Sequence, residues 1–354
     1  LAKFSRSRIG ILGCNTALPP HYYSQQDLLD GLERLWREQH FNSQRLRQFH
    51  QAMGIQGRHL SLPREEYLQS SDFTGRNGAF QRVSLELAEQ VVSGLLTQQG
   101  LTAEQIDYLV YTSVTGLSVP SLDARLMNRL AFRPNLRRVP LFGLGCLGGA
   151  AGTARLADLL AGDPEAYGLL LSVELCSLTL QPQDLSAANL VASGLFGDGA
   201  AAVLMGPAAP GKPRIVDTRS VFFPDSEGVM GWDIGSHGFA IVLSPQVPHY
   251  AEQHLGPALL EFLAAHNLTP QDIRAWIAHP GGPKVVEALQ QALSLDPDSL
   301  QITRDSLEKV GNLSSASVLF ILSQFLKQER QAGDHGLMLA MGPAFCAELV
   351  LLQW

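Results

Sequence analysis

Three residues stand where thiol chemistry would need them. Cys146 lies inside Gly143 to Gly148, GLGCLG, after the apolar stretch RVPLF and at the start of the helical pattern CLGGAAGTARLADLLAG. A thiol at a helix N-terminus meets unpaired N–H groups and the positive end of the macrodipole, which favours its thiolate. Gly148, Gly149, Ala150 and Ala151 let that helix bury tightly and let a substrate approach the sulfur. His279 falls where AWIAH gives way to PGGP, a sharp strand exit suited to pointing an imidazole into a cleft. Asn312 follows a glycine and opens the Ser-rich helix start NLSSASVLF. Each also has a plainer reading: a small core cysteine, a hydrogen-bonded structural histidine, an ordinary helix N-cap. Together they form the set that a thiol nucleophile requires, with a proton partner and an oxyanion donor.

GLGCLG also satisfies the GxGxxG pattern of dinucleotide sites. No acidic residue ends the next strand at the required distance of about 20 residues, and a cysteine side chain in the turn would crowd a pyrophosphate. The glycines are better read as serving Cys146.

The elements that must position these residues occur twice. Asn77 to Gln99 and Tyr250 to His266 read as long amphipathic helices, each followed by a similar phrase, LTAEQIDYLVYTS from Leu101 and LTPQDIRAWIAHP from Leu268. In both, a threonine can cap a short turn that leads into a buried strand. Forty-five residues separate Leu101 from Cys146 and 44 separate Leu268 from Asn312. An apolar strand then follows in each half, GLLLSVEL from Gly168 and GLMLAMG from Gly336. Four ordered elements at matched offsets predict an internal duplication of about 165 residues, too long a period for a solenoid. Two α/β units about a pseudo-twofold axis would bring the Cys146 and Asn312 helix starts together. Gly206 to Pro213, GPAAPGKP, breaks helix and strand alike and marks the boundary between halves 1–205 and 206–354.

Composition sets the class. The chain has 354 residues, 45% hydrophobic and 17% charged, enough apolar material for a large core. Its net charge of −7 and lack of a basic cluster argue against nucleic acid as the main partner. No apolar run of about 18 residues is present to span a membrane. The four cysteines are far apart with no CxxC pair, so neither a metal site nor a disulfide framework is expected, and a reducing cytoplasm fits. Opening on Leu1 rather than Met, the chain is expected to lack a few N-terminal residues, and no signal-peptide segment is read in it.

From about Ile9 to Trp354 the chain resembles the type III polyketide synthases, the chalcone synthase-like branch of the thiolase superfamily. The phrases that carry the resemblance are GLGCLGGAAG, LFGDGAAAV (Leu195 to Val203), GWDIGSHGF (Gly231 to Phe239), HPGGPK (His279 to Lys284), GNLSSASVLF (Gly311 to Phe320) and MGPAFCAELVLL. The resemblance implies a duplicated thiolase-like αβαβα layered α/β fold and a homodimer. It implies that Cys146 takes an acyl group from an acyl-CoA starter. His279 then pairs with the thiolate and, with Asn312, stabilises the enolate formed when malonyl-CoA loses carbon dioxide, with no metal or bound cofactor. Phe196 matches the family's gatekeeping phenylalanine. Thr115, Cys176, Thr179 and Ser314 match cavity-lining positions, and Arg45, Arg47 and Arg58 lie in the region that contacts CoA phosphates.

Two departures bear on substrate. Counted back from Val247-Pro248, the second gatekeeper phenylalanine is replaced by Ile241, which should widen the passage. The loop usually reading GFGPG is Ala340 to Ala344 here, with a Cβ where glycine is otherwise free. TGLSVPSLDARL and SVELCSLTL look more like bacterial members that prime with fatty acyl chains and release alkylpyrones or alkylresorcinols. The expected starter is therefore a medium- to long-chain acyl-CoA. The alternatives are a priming β-ketoacyl synthase III-like enzyme, separable by dependence on a carrier protein, and an inactive scaffold homologue, separable by the absence of an acyl adduct on Cys146.

Overall fold

The structure, a computed structural model, describes residues 6–37, 42–69 and 72–354. The strands run β1 (Ile9–Ala17), β2 (His21–Ser24), β3 (Gly57–Leu60), β4 (Ile106–Thr112), β5 (Arg137–Leu141), β6 (Tyr167–Leu175), β7 (Asp198–Pro207), β8 (Arg214–Phe222), β9 (Met230–Gly235), β10 (Gly238–Leu243), β11 (Ile273–Ala278), β12 (His335–Gly342) and β13 (Cys346–Gln353). Nine of them make one sheet, ordered β11-β12-β13-β8-β1-β7-β6-β4-β5. From the centre outward, β1, β7, β6 and β4 on one side answer β8, β13, β12 and β11 on the other. In both arms the outer pair is parallel and the inner pairs are antiparallel. The arms meet through one bridge pair, Gly10 with Arg214. This is the duplication read from the matched phrases, with β5 added at one edge.

Strand alternation divides the core into layers. Val110, Leu170, Ala201 and Val203 in one arm, and Ala275, Ile277, Met338 and Ala340 in the other, face a single central core. Their neighbours Leu109, Leu169, Leu171 and Ala202 face a core built on the helix Phe73–Gln99. Trp276, Leu337, Leu339 and Leu349 face one built on the helices Gly256–Ala264 and Pro283–Ala292. The central core encloses the helices Gly148–Ala161 and Ser317–Phe325. The layers thus run helix, sheet arm, paired helices, sheet arm, helix. Leu170, Ile277 and Leu319 are wholly buried, each contributing about 1.5–3 kcal/mol.

The two central helices touch backbone to side chain. A Cβ on Gly149 would stand 2.2 Å from the Ser315 carbonyl oxygen and 2.7 Å from Val318 Cγ1. Gly149→Ala is therefore expected to destabilise by about 1–3 kcal/mol. Gly78→Ala, in the helix Phe73–Gln99 with nothing near its Cβ, should be neutral or stabilising by up to about 1 kcal/mol. Urea midpoints of the two variants give the comparison.

Some boundaries differ from the sequence reading. The helix expected from Asn77 starts at Phe73, because the Asp72 side chain accepts from Gly75 N at 2.8 Å and caps it there. The helix expected over Tyr250 to His266 runs as Val247–Tyr250, a π-helical segment Ala251–Leu255 and Gly256–Ala264. Pro257 supplies no N–H, which favours the wider turn before it. Cys146 lies in a 3₁₀ turn, Gly145–Leu147, ahead of the α-helix proper. Ala344 has φ 57°, the left-handed conformation that glycine would adopt without strain, and its carbonyl accepts from Ser226 Oγ at 2.6 Å.

Candidate active site

Three chain segments converge on a cavity of about 80 Å³ that Cys146, His279, Asn312 and Ser314 line together. Cys146 arrives on its 3₁₀ turn, with Sγ 3.7 Å from Ser314 Oγ. Asn312 is seated by a bridge to the loop before β7. Asn312 N donates to the Leu195 carbonyl at 2.9 Å, and Gly197 N to the Asn312 carbonyl at 3.0 Å. Its Oδ1 accepts from Ser314 N at 2.8 Å and Ser317 Oγ at 3.5 Å. That leaves the amide NH2 to donate on the side of the Cys146 sulfur. His279 follows β11 and is anchored by its backbone N to the Leu339 carbonyl at 2.9 Å. It is buried, yet neither ring nitrogen has a hydrogen-bond partner among the described residues. A buried imidazole with both nitrogens unspent, on the wall of a cavity, is ready for an incoming polar group.

Burial opposes charge on each group taken singly. It pushes the Cys146 thiol up to about 12 against the lowering effect of hydrogen bonds from Ser314 and Asn312. It pushes the His279 imidazolium down to about 3. The helix start alone therefore does not make a thiolate here. Moving the proton from sulfur to imidazole would create two opposite charges that offset each other's desolvation.

Behind the cysteine lies Glu174, wholly buried on β6 and absent from the sequence reading. Its carboxylate accepts from Val114 N at 3.1 Å, Thr115 Oγ1 at 2.9 Å and Ser314 Oγ at 3.4 Å, and from Ser113 and Ser315 hydroxyls. Ser314 thus links the thiol to a carboxylate. Burial raises Glu174 to about 7, with the Ser315, Val114 and Thr115 hydrogen bonds working the other way. A carboxyl raised in the folded state contributes stability that is complete below its unfolded value and lost as pH rises through about 7. Glu174→Gln is expected to remove that loss. The stability difference, variant minus wild type, should climb between acid pH and pH 8 in denaturant titrations.

A second cavity of about 780 Å³ adjoins the first. Cys176, Phe196, Trp232 and Ile241 line both and form the aperture between them. Thr179 lines only the larger cavity and Ser314 only the smaller. Thr115 lines neither, its hydroxyl being occupied by Glu174 and Leu175 N. Of the basic residues expected near CoA, Arg47 pairs with Glu33 at 2.6 Å and Arg45 stacks on Phe49. Arg58 is buried, donating to the carbonyls of Ser193 at 2.7 Å and Phe196 at 2.9 Å. It holds the gate loop, while Arg34, Arg37 and Arg64 border the larger cavity.

Trp232 was missed, although a signal exists. Counting back across the turn Ser236-His237 pairs Ile241 directly with Trp232, and that is the register observed. Glu174 also left a trace, as the one carboxylate in the apolar run GLLLSVEL.

Duplicated layers with a cysteine, a histidine and an asparagine meeting at their centre define the thiolase-like class of condensing enzymes. Residues 2–210 match the chalcone and stilbene synthase N-terminal domain and residues 214–354 the corresponding C-terminal domain, so the chain belongs to that family. It is a type III polyketide synthase, an acyltransferase acting on CoA thioesters by decarboxylative condensation with malonyl-CoA. The chain is 50% identical over 350 residues to 1,3,6,8-tetrahydroxynaphthalene synthase of Streptomyces peucetius subsp. caesius, covering 97% of this chain and 93% of the relative. It is 30% identical over 343 residues to phloroglucinol synthase of Pseudomonas fluorescens, covering 95% and 96%. The crystal structure of tetrahydroxynaphthalene synthase from Streptomyces coelicolor superposes with a TM-score of 0.93 at 31% identity, covering 98% of this chain and 99% of the other. None of these three relatives is named for alkylpyrone synthesis. No helix among the described residues is long and apolar enough to cross a membrane.

Proposed function

We propose that the enzyme primes with a malonyl unit and extends it with further malonyl-CoA to an aromatic polyol of the tetrahydroxynaphthalene kind. The observation that carries this is the aperture. Trp232 stands opposite Ile241 on the passage out of a cavity of about 80 Å³, which suits a short starter. The names of the relatives point the same way.

CoA thioesters enter by the larger cavity, beside Arg34, Arg37 and Arg64. Cys146, from half 1–205, attacks the thioester carbonyl as its proton passes to His279, from half 206–354. The carbon–sulfur bond to CoA breaks and the CoA sulfur leaves with a proton from the imidazole. A second malonyl-CoA then loses carbon dioxide, and the electron pair of the broken bond becomes an enolate whose oxygen is held by His279 and the Asn312 NH2. The enolate carbon attacks the Cys146 thioester carbonyl and expels the sulfur as a thiolate; the lengthened chain, now on the extender's CoA, is transferred back to that thiolate with loss of CoA for the next round. Phe196, Ile241 and Cys176 bound the growing chain, with Thr179 further out and Ser314 beside the sulfur.

A second reading keeps the fatty acyl starter, with release as an alkylpyrone or alkylresorcinol, because Leu28, Leu32, Leu35, Leu60 and Leu180 line the larger cavity. Each methylene buried there would contribute about 0.8 kcal/mol. Incubation with labelled malonyl-CoA alone separates the two. An aromatic product carrying label at every two-carbon unit supports malonyl priming. No product until a long-chain acyl-CoA is added overturns it. The same reading includes a homodimer, supported by the exposed apolar side chains Leu117, Val119 and Phe142. A mass equal to the single chain in light scattering would remove it.

A further inference from the structure

The aperture has two sides drawn from distant parts of the chain. Cys176 and Phe196 follow β6 and precede β7. Trp232 and Ile241 sit on the hairpin β9–β10, whose strands pair only with each other. Two buried polar side chains tie the sides together. Arg76, on the helix Phe73–Gln99, donates Nη1 to the Leu180 carbonyl and Nη2 to the His237 carbonyl, each at 2.7 Å. Gln181 donates Nε2 to the carbonyls of Thr179 at 3.2 Å and Phe239 at 2.7 Å. Thr179 and Leu180 continue the wall that bears Cys176. His237 is in the hairpin turn, and Phe239 is two residues from Ile241. The Phe239 ring also meets Trp232 edge-on at 6.0 Å and Phe73 at 5.7 Å, so a pull on this carbonyl is felt by the indole. Neither Arg76 nor Gln181 lines either cavity.

We infer that Arg76 and Gln181 are positioning residues that staple the gate hairpin to the Cys176 wall and so set which acyl-CoA starters reach Cys146. This rests on the aperture acting as the starter gate. Without a staple the hairpin swings away from the wall and longer chains gain entry, while Cys146, His279 and Asn312 keep their places.

The test uses Arg76→Met, Gln181→Met and the conservative Arg76→Lys in the 354-residue chain. Malonyl-CoA and octanoyl-CoA compete for Cys146, read by intact-protein mass spectrometry, alongside malonyl-CoA decarboxylation and thermal melting. The octanoyl-to-malonyl ratio is expected to rise about fivefold in each Met variant, the equivalent of one hydrogen bond lost. Arg76→Lys, which can still reach one carbonyl, should fall between, and decarboxylation kcat should stay within about twofold, because neither side chain lines the cavity of Cys146, His279 and Asn312. Should Arg76→Met not fold, Gln181→Met decides alone, because Asn189 bonds to the backbone of Gln181 rather than its side chain, and to the Asp184 carbonyl, and so remains in place. An unchanged ratio in folded variants, or equal loss with both starters, overturns the inference. Wild-type protein that loads neither thioester on Cys146 overturns instead the function on which it rests.

Discussion

Cys146→Ala is expected to abolish polyketide formation, lowering turnover by about 10³-fold or more, as loss of a covalent nucleophile does elsewhere. No other cysteine can substitute. Cys176 lies on the same cavity, but burial and the nearby Glu174 charge hold its thiol well above the ordinary range, and the Asp198 charge adds to this. Cys14 donates to the Leu319 carbonyl in the central core, and Cys346 to the Pro343 carbonyl. The variant should still decarboxylate malonyl-CoA, because His279 and the Asn312 amide are seated by backbone bonds that do not involve sulfur. Intact mass after incubation with acyl-CoA should show no adduct. Chain extension near the wild-type rate would remove Cys146 from the nucleophile role.

Changes at Asn312 and His279 should strike decarboxylation itself. Asn312→Asp is the sharper variant. It keeps the oxygen that Ser314 N and Ser317 Oγ bond, and it exchanges the donor facing the cavity for an acceptor. The donor matters most once charge has formed on the thioester oxygen, so kcat for malonyl-CoA decarboxylation should fall by about 10²–10³ with little change in KM. His279→Ala should match that loss and add a second. With no partner for the proton, burial leaves Cys146 protonated, so both acyl loading and iodoacetamide alkylation at neutral pH should slow. Unchanged decarboxylation in Asn312→Asp would take the amide out of the oxyanion site.

Much of this was legible along the chain, and the residues explain why. The repeated phrases at Leu101 and Leu268 foretold the mirrored sheet, because each copy carries its own strand signal, turn cap and helix start. Phe196, in LFGDG, matches a gate position by resemblance, and it lines both cavities. The matched offsets also implied that Cys146 and Asn312 would meet, and both line one cavity with His279.

Other features depended on what lies across a strand or behind a helix. Ile241 alone suggests a wider passage; only the fold sets Trp232, nine positions earlier, across from it on the lining of both cavities. Thr115 was taken for a cavity wall, yet β6 runs beside β4 and presents Glu174 to its hydroxyl. Arg58 is expected in the region that contacts CoA phosphates; it borders the larger cavity, and the end of the helix Ala187–Leu195 supplies two carbonyls for its guanidinium. The charge state of the nucleophile likewise follows from enclosure. The helix start favours a thiolate by position in sequence, while desolvation, which only packing creates, reverses that preference. Local sequence therefore determined the elements and the chemical groups they carry, through propensities and spacings that each segment holds by itself. Tertiary structure decided neighbours, apertures and protonation, because these depend on atoms brought together from segments that share no sequence proximity.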